Sequence, residues 1–432
     1  AGRVKVALVP TLLSACGGSC GRIGLNALAG VGIMGLDLTE DGLLKVSLQF
    51  LIPADLTNPG GVGAGAGLRD PFFIMEQTGE TLPEAFSLLQ AKVPRCLFTS
   101  HIRVIAIGEE LARAGIGPVF DSLTRLRELR SSMSVVVTQG EAAALLQAAP
   151  RLGRLPVAAL ASTLEQKIVP IRSIREVAIA LVSEGVDPFI PAVALTSRIE
   201  TQLEPGAPTQ EFELIGAGIF RGDRLVGFAP LDLARGLAWL VDEAPFAVAT
   251  IEWPPEGESS PREARPDVSP PEAAAERDAP PGSRQPSPGQ GMREPNQISP
   301  LVLRAHVQFH TEIEDGQPVV HVYAHAVDDI VTNQAGLDLT DPAVLPRLED
   351  ALAARIKDRM EGMLHLAREL GADVFGFGAL IRRNHPKLWR ELRDDWHGYF
   401  SRLPVQIHVD VRVQRTGLTN SPAIFRREQL RR

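Results

Sequence analysis

Ser100-His101-Ile102-Arg103-Val104-Ile105-Ala106-Ile107-Gly108-Glu109-Glu110-Leu111 reads as a strand that runs straight into a helix. Ile102–Ile107 is β-branched and apolar, and Gly108–Ala114 opens the helix. The pattern repeats on both sides. Downstream, Ser122–Arg130 is helical, Met133–Thr138 is a strand and Glu141–Ala149 is helical again. Upstream, Thr81-Leu82-Pro83-Glu84 opens a helix reaching about Lys92, with Thr81 as cap and Glu84 three residues on, a capping box. Before that, Ala29–Asp37 and Leu43–Ile52 flank Leu38-Thr39-Glu40-Asp41-Gly42. Lys45, Ser47 and Gln49 alternate with Val46, Leu48 and Phe50, the period-two signature of an antiparallel hairpin. Alternating strands and helices with at least one hairpin predict an α+β, multi-domain fold, with mixed and antiparallel sheets packed against helices.

The expected domains are an N-terminal α/β domain over 21–198 and a C-terminal α+β domain over 199–425. In the second, Glu211–Phe220, Arg224–Phe228 and Phe246–Trp253 are strands, with Leu231–Val241 a helix among them. Residues 254–298 then change composition: they are rich in Pro, Glu, Arg and Ser and nearly free of large apolar side chains. Such a segment cannot bury enough surface to offset its ordering entropy, so it is expected to be disordered. The Gly-rich run at 60–67 lacks both a Gly-Lys-Ser/Thr ending and a Rossmann context, and reads as a flexible loop.

Val302–Glu312 and Val319–Asp328 form a second hairpin around Asp315-Gly316. With a two-residue turn, His310 falls opposite His321 and His306 opposite His325, all on one face. Ala305, Val307, Phe309, Val322 and Ala324 take the other face, which suits a core. Each imidazole pair could hold part of a transition-metal shell, but the pairs are too far apart to make one site, and two ligands rarely hold zinc. A polar strand surface with no metal is the expectation. Thr340-Asp341-Pro342 announces a helix whose stripe is Leu348, Leu352, Ile356, Met360 and Met363, closed by Gly371. Trp389 and Trp396 sit at helical spacing in Pro386–Phe400, and Val405–Val413 is a last strand.

The net charge of −8 argues against nucleic acid as the partner, since phosphate neutralisation needs a basic face. Enzyme signals are weak. Ser100-His101 are adjacent rather than opposed, no Gly-x-Ser-x-Gly elbow exists, and Asp373 reads as a turn or cap residue. Cys96 reads as a packed thiol. No apolar run is long enough to span a bilayer.

The first residues carry a different signal. Arg3 and Lys5 flank the short apolar run Val4–Leu13, which ends in Leu13-Ser14-Ala15-Cys16. A basic flank, about ten apolar residues and small residues before a cut describe an export signal. The tetrad looks like a bacterial lipobox, so residues 1–20 are expected to be a lipoprotein signal and anchor region, with Cys16 lipidated and Cys20 the alternative.

Several stretches together resemble the C subunit of bacterial spore germination receptors, the Ger(x)C lipoprotein family. They are Asn26–Asp37 with Asp41-Gly42, Arg95–Ala112, Phe220–Gly227 with Arg235-Gly236-Leu237-Ala238-Trp239-Leu240, Gly371–Gly378, Pro386-Lys387-Leu388-Trp389, Asp395-Trp396 and Arg415-Thr416-Gly417. Two departures stand out: neither Cys16 nor Cys20 is followed by Trp as the family anchor usually is, and residues 254–298 read as an insertion. The resemblance implies a non-catalytic subunit without a cofactor. It would be lipid-anchored at the outer face of the spore inner membrane, beside integral-membrane A and B subunits, and needed to sense nutrient germinants and trigger germination. The alternative is a freestanding extracytoplasmic lipoprotein that binds a small ligand.

Overall fold

The structure is a computed structural model of the chain. It describes residues 28–52, 72–148, 150, 155–197, 210–244, 250–253, 297–339 and 341–415. The expected signal with Cys16 and Cys20, the glycine run at 60–67, and the proline-rich segment except Gln297 and Ile298 lie outside the described residues.

β1 (Leu28–Leu38) and β2 (Leu44–Leu51) form the expected hairpin, with Leu38 opposite Leu44 and Gly42 at φ +78° in the turn. β3 (Phe72–Gly79) pairs antiparallel with β2 and leads into α1 (Leu82–Lys92). There the Thr81 hydroxyl accepts the Glu84 N–H, while the Glu84 carboxylate accepts the Glu80 N–H at 2.7 Å. β4 (Cys96–Phe98), β5 (Val104–Ile107), α2 (Glu109–Ala114), α3 (Gly117–Arg125), β6 (Ser134–Thr138) and α4 (Ala142–Gln147) continue the alternation. α3 begins and ends five residues earlier than the expected Ser122–Arg130, because Pro118 fits a first helical turn and the chain turns off after Arg125. α5 (Pro156–Glu165), β7 (Arg172–Ser173), α6 (Ile174–Val182), β8 (Phe189–Ser197), β9 (Gln210–Arg221), β10 (Arg224–Pro230) and α7 (Leu231–Leu240) follow.

These strands make one ten-stranded sheet, ordered β10-β9-β8-β6-β5-β1-β2-β3, with β4 on β1 and β7 on β6. Its centre, β8-β6-β5-β1, is parallel, and its wings are antiparallel. Val104–Ile107 are buried throughout, as a parallel strand covered on both faces must be. The polar alternation of β2 is therefore no solvent-facing stripe. Ser47 and Gln49 are fully buried; Gln49 donates to the Leu146 carbonyl at 2.9 Å and Lys45 meets Glu141 at 2.7 Å. The expected boundary at 198 falls between β8 and β9, which pair antiparallel from Phe189 opposite Ile219 to Ser197 opposite Gln210.

The later elements are β11 (Ile251–Glu252), β12 (Gln297–Glu314), β13 (Gln317–Asn333), α8 (Val344–Leu370), α9 (Phe377–Asn384), α10 (Pro386–Leu392), α11 (Trp396–Phe400) and β14 (Val405–Arg415). Pro386–Phe400, with its two Trp at helical spacing, is two helices divided by a 3-10 turn at Arg393–Asp395. A second, four-stranded sheet runs β11-β12-β13-β14. Mixed and antiparallel sheets with helices make the fold α+β, as the residues predict.

By its internal contacts the chain divides into two compact units. The first comprises 1–244, 307–322 and 358–408, and the second 245–306, 323–357 and 409–432. The first unit's core includes Val31, Met34, Leu36, Val46, Leu48 and Phe50 from the hairpin, Ile105 and Ile107, and the helical Leu89, Phe120 and Leu123. The second buries Ile298, Val302, Ala326, Ile330, Leu348, Leu352 and Ile356. In that unit Ile251 lies opposite Ile298 and Glu252 opposite Gln297. The two flanks of the proline-rich segment are thus paired neighbours, the arrangement an insertion within a fold requires. Its expected end at 298 shifts, because Gln297 and Ile298 already belong to β12 and Ile298 is fully buried.

Candidate functional site

In the first unit, α8 ends at Gly371 (φ +62°), and Gly376 (φ +77°) precedes α9. Between them lies Asp373, fully buried. Its Oδ1 accepts the N–H groups of Gly376 at 2.9 Å and Phe377 at 3.1 Å. Its Oδ2 accepts the Gly378 N–H at 2.7 Å and the Trp396 indole N–H at 3.1 Å. One side chain therefore caps the first turn of α9 and fastens α11 to it. Asp187, in the loop between α6 and β8, meets it through two hydrogen bonds. The Asp187 N–H donates to the Asp373 carbonyl at 2.8 Å, and the Asp373 N–H donates to Asp187 Oδ2 at 2.8 Å. Asp187 Oδ1 accepts the Gly222 N–H at 2.7 Å, and its Oδ2 lies 3.2 Å from His397 Nε2.

Burial pushes the Asp373 carboxyl up to about 7, against the pull of its backbone donors. The hydrogen bond to Asp187 raises the His397 imidazole above its ordinary value. Beside this pair the backbones approach closely. Gly185 (φ +78°) accepts the Ala379 N–H at 2.8 Å, and a Cβ on Gly378 would lie 2.7 Å from Gly185 Cα. Trp389 and Trp396 pack with ring centroids 5.2 Å apart, and Trp389 donates to Glu184 at 3.1 Å. A cleft of about 460 Å3 opens here, lined by Glu184, Asp187, Trp389, Asp394 and His397 among others.

The arrangement is a lock rather than a reactive centre. Asp373 accepts four N–H donors, and three of them belong to the backbone turn it holds. A carboxylate so saturated and enclosed has no reach to a substrate proton. The sequence marks Asp373 as a cap; it gives no sign of Asp187, whose role depends on a partner far along the chain.

The expected histidine face is only partly as drawn. Asp315 and Gly316 turn with φ of +48° and +78°, between β12 and β13, so the two-residue hairpin is present. His306, His310 and His325 are exposed, but His321 is 8% exposed because β14 places the His408 ring 6.2 Å from its own. In the first unit, His310 faces Glu312 at 3.5 Å. In the second, His325 faces Asp410 at 3.7 Å. Among the described residues, the ligand atoms that converge are those of Glu312, Glu314 and His321, all within 4.8 Å of one another. That set is not the pairing expected from register, and two of its three members are exposed carboxylates. No metal is assigned to it. Cys96 is half-buried and not a fully enclosed core thiol; it lines an apolar cavity between α1 and the segment after α3. His101 packs edge-on against Phe98 at 4.7 Å.

Comparison with known proteins places these features in a family. Residues 22–195 match the family described as "Spore germination protein N-terminal domain", and residues 287–417 match "Spore germination B3/ GerAC like, C-terminal". Spore germination protein KC of Bacillus subtilis (strain 168) is 24% identical over 416 residues, covering 92% of each chain. The putative spore germination protein YfkR of the same organism is 22% identical over 417 residues, covering 95% of each. A crystal structure of the GerBC protein aligns with a TM-score of 0.48 at 18% identity, over 88% of this chain and 96% of that one. Asp187 lies within the first matched region and Asp373 within the second, and the chain belongs to the GerAC-like family of spore germination proteins.

Proposed function

We propose that the chain is the lipid-anchored C subunit of a nutrient germinant receptor. It is held at the outer face of the spore inner membrane through Cys16, or Cys20 in its place, beside integral-membrane A and B subunits. Its role is that of a non-catalytic scaffold or transmitter of the germinant signal. The observation that carries this reading is the Asp187–Asp373 exchange. It uses two buried carboxyls of the first unit to join chain segments, which suits a rigid body that relays force or position. Among the described residues no helix is long and apolar enough to cross a membrane.

The test compares the chain with its Cys16→Ser and Cys20→Ser variants in a lipidation-competent bacterium, by detergent-phase partition and mass spectrometry of the N-terminus. Spores carrying each form are then scored for germination with nutrients. Loss of acyl mass, release to the aqueous phase and slowed nutrient germination are expected for one variant. Normal germination of spores lacking the chain altogether sinks the reading. The 460 Å3 cleft favours a second one, a freestanding ligand-binding lipoprotein, and that outcome would support it.

A further inference from the structure

Two apolar depressions lie side by side on the first unit. One, of about 380 Å3, is walled by Phe86, Cys96, Leu97, Leu126 and Leu129. The other, of about 370 Å3, is walled by Leu123, Leu129, Ile174, Ala178, Ile179 and Val182. Leu129 belongs to both, so they form one surface between α1, α3 and α6. Its rim stands out of the protein: Ile179 is 50% exposed and Val182 83%.

The charges around it are of one dominant sign. Arg95, Arg127, Arg130 and Arg175 are all exposed, and none forms an ion pair with a described residue. Glu128 stands between two of them, and Arg125 is taken up by Asp121 at 2.9 Å. A chain with a net charge of −8 is repelled as a whole by an anionic surface. A local patch of unpaired arginines around protruding aliphatics reverses that at one place. Flexible arginine stems keep their charge at a headgroup while neighbouring apolar side chains reach below it.

The position of the patch is fixed by where the chain enters the fold. β1 starts at Leu28, and Leu28 is the partner of Cys96, a wall of the first depression. Eleven residues of chain lie between Cys16 and Leu28, a reach of at most about 40 Å. A lipid at Cys16 would tether the chain beside this face and keep it within reach of the bilayer.

We propose that this face, centred on Leu126–Arg130 and Ile179–Val182, docks onto the surface of an anionic phospholipid membrane. The proposal deepens the anchored reading above: the lipid tethers, and the patch sets which side faces the membrane.

The test uses the full chain with Cys16→Ser and Cys20→Ser together, so that no acyl chain contributes. It is sedimented with vesicles of phosphatidylcholine alone and with vesicles rich in phosphatidylglycerol. The expected result is binding to the anionic vesicles only, weakened by salt. Arg127→Gln and Arg130→Gln each lower it by about fivefold. Val182→Asp, at a side chain 83% exposed and so neutral for folding, lowers it as well. Absence of binding, equal binding to both vesicles, or binding unchanged in all three variants overturns the proposal. A dimer in sedimentation velocity that Val182→Asp dissociates would give the face to a second copy instead, and also overturns it. Because this protein carries no lipid, failure here leaves the anchor reading standing, and failure of the anchor leaves this measurement intact.

Discussion

Asp187 and Asp373 exchange two hydrogen bonds of 2.8 Å, one from each backbone N–H, the first into a carbonyl and the second into a carboxylate. The residues are 186 apart in sequence. Each then spends its remaining oxygens on a different loop, Gly222 for Asp187 and the start of α9 for Asp373. Removing either carboxylate strands several buried donors at once.

Asp373→Ala is therefore expected to destabilise the first unit by about 3 kcal/mol or more, since each orphaned buried donor costs about 1–3 kcal/mol. Asp373→Asn, which keeps one acceptor oxygen, is expected to lose less. Urea unfolding with a Trp fluorescence readout checks this, because Trp396 loses a partner in both variants. A loss below about 1 kcal/mol for the alanine variant would mean the lock does not hold the fold.

Gly378→Ala places a methyl 2.7 Å from Gly185 Cα and from Trp396 Cε2. The backbone cannot yield without breaking the Ala379-to-Gly185 hydrogen bond, so a loss of about 2 kcal/mol or more is expected. Equilibrium denaturation of the variant is the measurement, and a midpoint equal to the parent's would contradict the close approach.

Stability should fall as pH rises through neutrality. Asp373 has its carboxyl raised to about 7 and Asp328 to about 6, both by burial, and His397 is raised by Asp187. A raised folded-state value means the folded protein holds its proton longer than the unfolded chain does. The carboxyl contributions are thus whole below the model value of 3.8 and are lost on rising through about 6 and about 7. His397 adds a loss of the same sign above its model value of 6.5. The expected outcome is a lower Tm at pH 8 than at pH 5.5, read by calorimetry.

Asp328 in the second unit gives a sharper arm of that test. It is fully buried, and neither carboxyl oxygen has a hydrogen-bond partner among the described residues. Asp328→Asn removes a charge that must otherwise form there, so the variant should be more stable than the parent at pH 8, by about 1–3 kcal/mol. The gain should shrink as pH falls through about 6 and vanish only below the ordinary value of 3.8. A variant less stable at both pH 8 and pH 5 would show that the carboxylate is paired.

The paired flanks of the insertion predict that it can be removed. Glu252 and Gln297 lie opposite each other, so a short Gly/Ser turn can replace residues 256–294. A shorter loop changes closure entropy only slowly, and the expected change in stability is within about 1 kcal/mol. Loss of the folded state on deletion would mean that segment packs on the rest.

What the chain announces locally, the structure keeps. The stripe Leu348, Leu352, Ile356, Met360 and Met363 is fully buried in α8, because a 3.6-residue period puts these residues on one face wherever the helix goes. Asp315-Gly316 turns the hairpin, since its backbone demands positive φ and those two residues supply it. Asp373 caps because a carboxylate near exposed helix N–H groups binds them whatever lies beyond.

The rest depended on partners distant in sequence. Ser47 and Gln49 alternate as a wet face would, yet α4 covers them, and nothing in β2 encodes the helix that lies above it. His321 looks like its exposed neighbours until β14 brings His408 over it. β9 and β10 complete the first sheet although the sequence suggests a new domain there, because strand pairing is settled by backbone hydrogen bonds that carry no side-chain signature. The sequence by itself marked many of the elements, a candidate anchor motif and the family resemblance, all of which rest on neighbours in the chain. Only the tertiary structure decided which polar residues are buried, that Asp187 meets Asp373, and that one apolar surface joins walls from α1, α3 and α6, since each requires segments to converge from far apart.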